Sequence, residues 1–523
     1  MSVICDHQMQ SSDCPPSFSQ TGSHLKNSDP LKTDRPFRVL FLSSEVTPFL
    51  KSGGLADVAG SLPVALKKVS PDAIDIRIVT TCFAGIRKHG SISSRGSFLF
   101  PSPAGSQKAD VFTSRISDGK TEVPISFIGI GDLFERSGIY GEKEVEYPDN
   151  FERYLFWSYA IREWMKRESF IPDIVHGNDW QTGLFFPLLQ TWKNVDKNLG
   201  STHSLFTIHN LAYKGLFPLK RLGETGLPQE YGHFSKLEFH GHLSFLKGGI
   251  CCTDVVTTVS PGYRNEVLRE PEGEGLSGAL LARGERFSGV LNGMDLDRWD
   301  PETDPLLKEH YSAVNPTAKQ SAKSDLLEQF GMEDSLHSPL IGMVTRMTPQ
   351  KGLDIALAAV AILLREKANI RIVILGSGSP ALETEAVQLS HDYPARFGIR
   401  IGFDDSLARK IYAGSDFFLM PSRFEPCGLS QMYAMRYGSI PIVNPTGGLR
   451  DTVSPGKTGI WLRTLSVEGV VQGVRSAIEL YSDKAAFNRY RTNALLEENG
   501  WKRRAEQYLD LYEEASGAVI RRI

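Results

Sequence analysis

Apolar residues in this chain fall into two alternating rhythms: short unbroken runs, and longer stretches with helical spacing. FRVLFLSSE (37–45) is a β-rich run that has to be buried on both faces. A Lys-Ser-Gly-Gly loop at 51–54 follows, then LADVAGSLPVALKKV with helical spacing, then the strand run IDIRIVT at 74–80. Strand, loop, helix and strand in that order form a βαβ unit and predict a parallel sheet. The plan recurs in PLIGMVTRM (339–347), a Lys-Gly turn at Lys351 and Gly352, the helical LDIALAAVAILLREK and the strand run RIVILGSG (371–378). DFFLM (416–420), the helically spaced CGLSQMYAMRYG (427–438) and IPIVNP (440–445) continue the alternation. The expected fold is α/β, with two doubly wound, Rossmann-like domains facing each other across a cleft.

Breaks in the pattern set the boundaries. Residues 1–36 are rich in Ser, Pro, Gln and Asp without apolar periodicity, and are expected to be a disordered tail. The tail lacks a secretory h-region, and Asp6, Asp13, Asp29 and Asp34 argue against a transit peptide. Cytoplasm is the first expectation and a plastid stays open. Turn residues cluster in LNGMDLDRWDP (291–301), which divides a first domain at 37–293 from a second at 294–500. WKRRAEQYLDLYEEASGAV (501–519) reads as a long amphipathic packing helix, so segment 501–523 is expected to rejoin the first domain.

Composition narrows the function classes. With 523 residues the chain is long enough for several cores, and a net charge of -3 gives no excess of basic residues for nucleic acid or an anionic membrane surface. No apolar run approaches a membrane span. The six cysteines lack zinc-ligand spacing and a CxxC pair, which fits a reducing compartment. No Asp-x-Asp pair is framed by strands, so no metal is expected.

Candidate chemistry collects where strands end, the edge at which open α/β sheets bind ligands. Glu425 stands between the strand DFFLM and the helix start at Cys427, Gly428, Leu429 and Ser430, whose N–H groups suit a phosphate. A carboxylate there suits neutral hydroxyls a short distance away, so a sugar joined to a phosphate satisfies both halves. Lys51, Gly53 and Gly54 form either a tight connection or a phosphate-approaching turn. Arg346 and Lys351 leave the same sheet edge as Glu425 and can converge on one diphosphate. Thr446 and Gly447 offer further N–H groups. His209 and Asn210 end the strand SLFTIHN, with Tyr213 just beyond; the histidine serves either structure or substrate. Asp179 in HGNDW is equally a site carboxylate or the N-cap of the helical WQTGLFFPLLQ. Cys427, without a neighbouring histidine, is assigned to packing or the substrate edge.

Together these motifs resemble the bacterial glycogen synthases and plant starch synthases. The carrying segments, in family order, are KSGGLADV (51–58), YPDNFERYLFWSYA (147–160), HGNDWQTGL (176–184), FTIHNLAYKGLFP (206–218), FLKGGICCTDVVTTVSPGY (245–263), GVLNGMD (289–295), TRMTPQKGLD (345–354) and SRFEPCGLSQMYAMRYGSIPIVNPTGGLRDTV (422–453). The resemblance implies a GT-B fold and metal-independent, retaining transfer of glucose from ADP-glucose to the non-reducing end of an α-1,4-glucan, glycogen or starch, with no cofactor. It implies diphosphate contacts from Lys51, Arg346 and Lys351, sugar contacts and a catalytic requirement at Glu425, a catalytic His209 beside the transferred glucose, and Asp179 as the catalytic acidic residue of the HDW-type motif. Phe403 falls where the family usually has a tyrosine against the adenine. Asn178 and Gln181 replace the imidazoles of an HDWH pattern common in bacterial members, and Ser52 replaces the usual threonine. The residues leave open a related UDP-glucose transferase and an inactive glucan-binding homologue.

Overall fold

Runs without polar interruption become the inner strands of two separate sheets in the computed structural model, which describes residues 35–86, 91–142, 145–333 and 337–523. The expected tail lies outside the described residues up to 34. The first sheet contains β1 (Phe37–Leu42), β2 (Ile74–Thr81), β3 (Ser93–Ser102), β4 (Gly105–Ser117), β5 (Glu122–Gly129), β6 (Ile174–Asn178), β7 (His203–Ile208), β8 (Val255–Thr258) and β9 (Phe287–Gly289). Their spatial order is 9-8-7-6-1-2-5-4-3. From β9 to β5 every pairing is parallel, whereas β3, β4 and β5 form an antiparallel edge outside the βαβ plan. That edge follows the other rhythm: Phe98 and Phe100 are buried and Leu99 between them is 65% exposed, as in a strand with one wet face.

β1 lies centrally, and Val39 to Leu42 are wholly buried. Leu42 sits opposite Val79 of β2 and Gly177 of β6, so these strands deliver their following loops to one edge. The first such loop leads into α1 (Gly54–Val69), which carries Asp57 in its first turn and Lys67 and Lys68 in its last, in accord with the helix dipole.

The second sheet contains β10 (Leu340–Val344), β11 (Arg371–Gly376), β12 (Phe397–Ile401), β13 (Phe417–Met420), β14 (Ile440–Val443) and β15 (Ile460–Trp461), ordered 12-11-10-13-14-15 and parallel throughout.

The C-terminal helix Lys502–Ser516 packs on α1 and β7, and Tyr508, Leu509 and Tyr512 are fully buried in the core that holds Phe37 to Val290. Tyr512 Oη bonds Nδ1 of His176 at 2.8 Å. The chain therefore passes twice between the two sheets. The passages run side by side, joined by Met294 N–H donating to Asn499 O at 2.9 Å.

Candidate active site

The turn after β13 carries Glu425, 4% exposed. Its Oε2 accepts from Lys351 Nζ at 2.5 Å and from Ser422 Oγ at 3.1 Å. The next helix runs Ser430–Arg436, starting later than the Cys427 its spacing suggests. The reason is local: Gly428 is in the left-handed region (φ +73°), and the Gln431 side-chain amide donates back to the Cys427 and Gly428 carbonyls. Cys427 is buried and its thiol is pushed up to about 12 by desolvation, so it stays protonated and inert as a nucleophile.

On the facing wall, the Lys51–Gly54 loop wraps a carboxylate that the sequence pattern did not single out. Glu45, 2% exposed, accepts from Ser52 N–H (2.5 Å), Ser52 Oγ (2.6 Å), Gly53 N–H (3.3 Å) and Tyr140 Oη (2.5 Å). Lys51 Nζ rests on Asp57 at 2.9 Å. A retrievable signal existed: Glu45 is an acid just past the first buried strand, where an unpaired carboxylate is costly and so has an assigned task.

Asp179 precedes the short helix Trp180–Gly183 but does not cap it; no N–H of that helix bonds its side chain. Its backbone is in the left-handed region (φ +57°), turning the carboxylate toward β7. There Oδ1 accepts from the N–H of His209 at 2.7 Å and of Asn210 at 3.4 Å. Of its two open roles the structure therefore corrects the N-cap reading. Desolvation outweighs these two bonds and, with Glu45 nearby, pushes the carboxyl up to about 7. His209 is 9% exposed; burial draws its imidazole down to about 3, leaving it neutral, and Nε2 pairs with Asn178 Oδ1 at 2.9 Å.

The two walls touch. Arg346 Nη1 donates to Tyr213 Oη at 3.4 Å, and Lys51 Nζ lies 5.9 Å from the Phe403 ring centroid. A Cβ added to Gly54 would stand 3.7 Å from Leu429 Cδ1. Phe403 is 79% exposed, open for a flat ligand. Ser260 Oγ donates to Pro426 O at 2.5 Å, linking the first wall to the Glu425 turn. Gly447 N–H, expected to face a phosphate, donates instead to Glu266 at 2.8 Å, and Thr446 Oγ1 reaches the same carboxylate at 3.2 Å. Glu266 ends the helix Pro261–Glu266, three residues past the segment 245–263 that carries the family resemblance. Lys51, Gly53, Gly54, Arg346, Lys351, Glu425 and Leu429 thus share one cleft, with Asp179, His209, Asn210 and Tyr213 on the first wall.

This arrangement gathers cations and the carboxylates that hold them at the facing edges of the two sheets. Residues 38–282 match the starch synthase catalytic domain model, and residues 330–494 match glycosyl transferases group 1. A glycogen synthase of Myxococcus xanthus is 39% identical over 479 residues, covering 91% of this chain and 98% of the relative. The chain belongs to the glycogen synthase and starch synthase family. Glycogen synthase 2 of Geobacter sulfurreducens is 37% identical to this synthase over 489 residues, covering 92% and 99% of the two chains. The catalytic domain of starch synthase IV from Arabidopsis thaliana, solved bound to ADP and acarbose, superposes on the synthase with a TM-score of 0.83 at 30% identity, over 92% of this chain and 100% of the other. Sucrose-phosphate synthase from Thermosynechococcus elongatus, at 16% identity and TM-score 0.56 over 91% and 98%, shares the fold alone. The synthase has the GT-B fold and is a retaining hexosyltransferase of the glycogen and starch synthase type. Among the described residues no helix is long and apolar enough to cross a membrane.

Proposed function

We propose that the cleft transfers glucose from ADP-glucose to the non-reducing end of an α-1,4-glucan. The observation that carries this reading is the Lys351–Glu425 pair, which joins the loops after β10 and β13 on the wall opposite the Lys51–Gly54 loop. A diphosphate entering between the walls draws Lys351 off Glu425, Lys51 off Asp57 and Arg346 off Tyr213, because each cation has a more highly charged partner to exchange into. Glu425, released, turns to the hydroxyls of the donor glucose. Exposed Phe403 stacks on the adenine. That the starch synthase IV catalytic domain was solved bound to ADP and acarbose supports a nucleotide and a sugar chain as ligands here.

Retention follows from a front-face route. The acceptor hydroxyl attacks from the side the diphosphate leaves, a phosphate oxygen takes its proton, and the carbonyl of His209 stabilises the oxocarbenium-like centre. Asp179 strengthens that carbonyl: the Asn210 N–H it holds belongs to the same peptide unit, so its negative charge pushes electron density onto the oxygen. The cationic side chains and N–H groups do the work of a divalent ion, so transfer needs no metal. In this reading the moving halves are 37–293 with 501–523, and 294–500, hinged at the paired crossings. The cytoplasm is the site of action on glycogen.

Incorporation of labelled glucose into glycogen from ADP-glucose and UDP-glucose, with and without a chelator, tests the reading. ADP-glucose is expected to be used in preference and the chelator to have no effect. Binding of glucan without incorporation would favour a scaffold, preference for UDP-glucose a related transferase, and a trapped glucosyl adduct on Glu425 double displacement.

A further inference from the structure

Asn178 ends β6 with no solvent exposure and touches both the first strand and the site histidine. Its Nδ2 donates to the carbonyl oxygen of Leu42 at 2.9 Å. A backbone carbonyl only accepts, so the amide orientation is fixed: NH2 toward Leu42 and Oδ1 toward His209. Oδ1 in turn only accepts, so His209 Nε2, 2.9 Å away, has to carry the imidazole hydrogen. Nδ1 of the neutral ring is then left with a bare lone pair, and among the described residues it has no hydrogen-bond partner.

We propose that Asn178 is a positioning residue that locks His209 in the Nε2–H tautomer, so that Nδ1 presents a hydrogen-bond acceptor to a hydroxyl of the bound sugar. The proposal rests on the function above for the identity of the sugar but not for the tautomer itself. A ring in the other tautomer would set a bare Nε2 against Asn178 Oδ1, two buried acceptors 2.9 Å apart with no donor between them, a double loss. The charges around the pair are few. His176 stands two residues back on β6, with its own ring nitrogens bound to Tyr512 and Thr207. Asp179 follows Asn178, and Glu45 lies close enough to act on Asp179. Among the described residues no lysine or arginine is paired with the His209 ring. The role differs from that of an imidazole at position 178, which can both donate and accept and so fixes no tautomer by itself.

The test begins with unliganded full-length protein carrying isotope-labelled histidine nitrogens, with His209 identified by its absence from the spectrum of His209→Gln. One protonated Nε2 and one bare Nδ1 are expected; a protonated Nδ1 in the wild type overturns the proposal without reference to activity. In Asn178→Leu, close in size and unable to bond either partner, the His209 signals are expected to report both tautomers. Its kcat for glucosyl transfer is expected to fall roughly ten- to a hundredfold, with ADP affinity and the KM for the donor within about twofold. A lost kcat with an unchanged tautomer would make Asn178 merely structural and end the proposal. Asn178→Asp keeps an acceptor toward Nε2 and is expected to retain the tautomer while stabilising the imidazolium, which adds an acid-side fall to the pH profile of kcat. An unaltered profile together with a changed tautomer would count against it.

Discussion

Asp179 joins stability and activity through one proton. Its carboxyl is pushed up from 3.8 to about 7 chiefly by desolvation, against the pull of the His209 and Asn210 N–H groups. Between about pH 4 and 7 the folded protein holds this proton more tightly than the unfolded chain, so stability falls as pH rises and levels off above the folded value. At about 1.4 kcal/mol per unit, the ionised carboxylate lowers stability by roughly 1.5 kcal/mol near pH 5 and by at most about 4 kcal/mol near pH 8; partial solvent access at Asp179 trims the upper figure. Asp179→Asn keeps an oxygen for the same two N–H groups and removes the titration. Near pH 8 it is expected to be more stable than wild type, and the gap should narrow by about 2 kcal/mol near pH 5. For a first domain of the expected bounds that change corresponds to a difference in Tm of roughly 3 °C. The variant should also lose kcat, because the charge that polarises the His209 carbonyl is gone, and wild-type kcat should rise through about pH 7 while the variant's stays flat. Calorimetry at the two pH values with parallel initial-rate profiles decides it. A stability gap independent of pH, or a variant less stable near pH 8, would refute the linkage.

Glu425→Gln is expected to abolish transfer yet leave ADP binding equal or a few-fold tighter by titration calorimetry, since Lys351 loses the partner it has to leave. Gly447→Ala is expected to cripple transfer: an added Cβ would stand 2.0 Å from the Glu425 carbonyl oxygen at a residue with φ +45°, and kinetic assay of the folded variant checks it. Glu266→Gln weakens the grip on Gly447 N–H across the cleft and should change donor KM more than Tm. Leu509→Ala, in a wholly buried position, should destabilise the protein by about 2–5 kcal/mol in denaturant unfolding.

Much of this was written in the sequence because parallel strands buried on both faces are unbroken apolar runs, and β1, β10 and β13 are such runs. The edge strands β3 and β4 needed the other signal, alternation, and the βαβ plan passed over them. The site divides in the same way. Lys51, Arg346, Lys351 and Glu425 stand in loops that directly follow strands, so chain position alone brings them to one edge. Glu266 escaped notice because its partner, Gly447, is distant in sequence and the bond spans two domains. Asp179 was ambiguous for a subtler reason: a carboxylate before a helix is usually a cap, and only its left-handed backbone aims it elsewhere.

The helix Lys502–Ser516 is made after the whole second sheet and lies in the first core, against α1 and β7. During synthesis the N-terminal half therefore waits, with its apolar seat for Tyr508, Leu509 and Tyr512 uncovered, until this helix leaves the ribosome. A chain cut short anywhere in the second half cannot fill that seat. The returning helix thus makes closure of the first core depend on the second sheet having already been made.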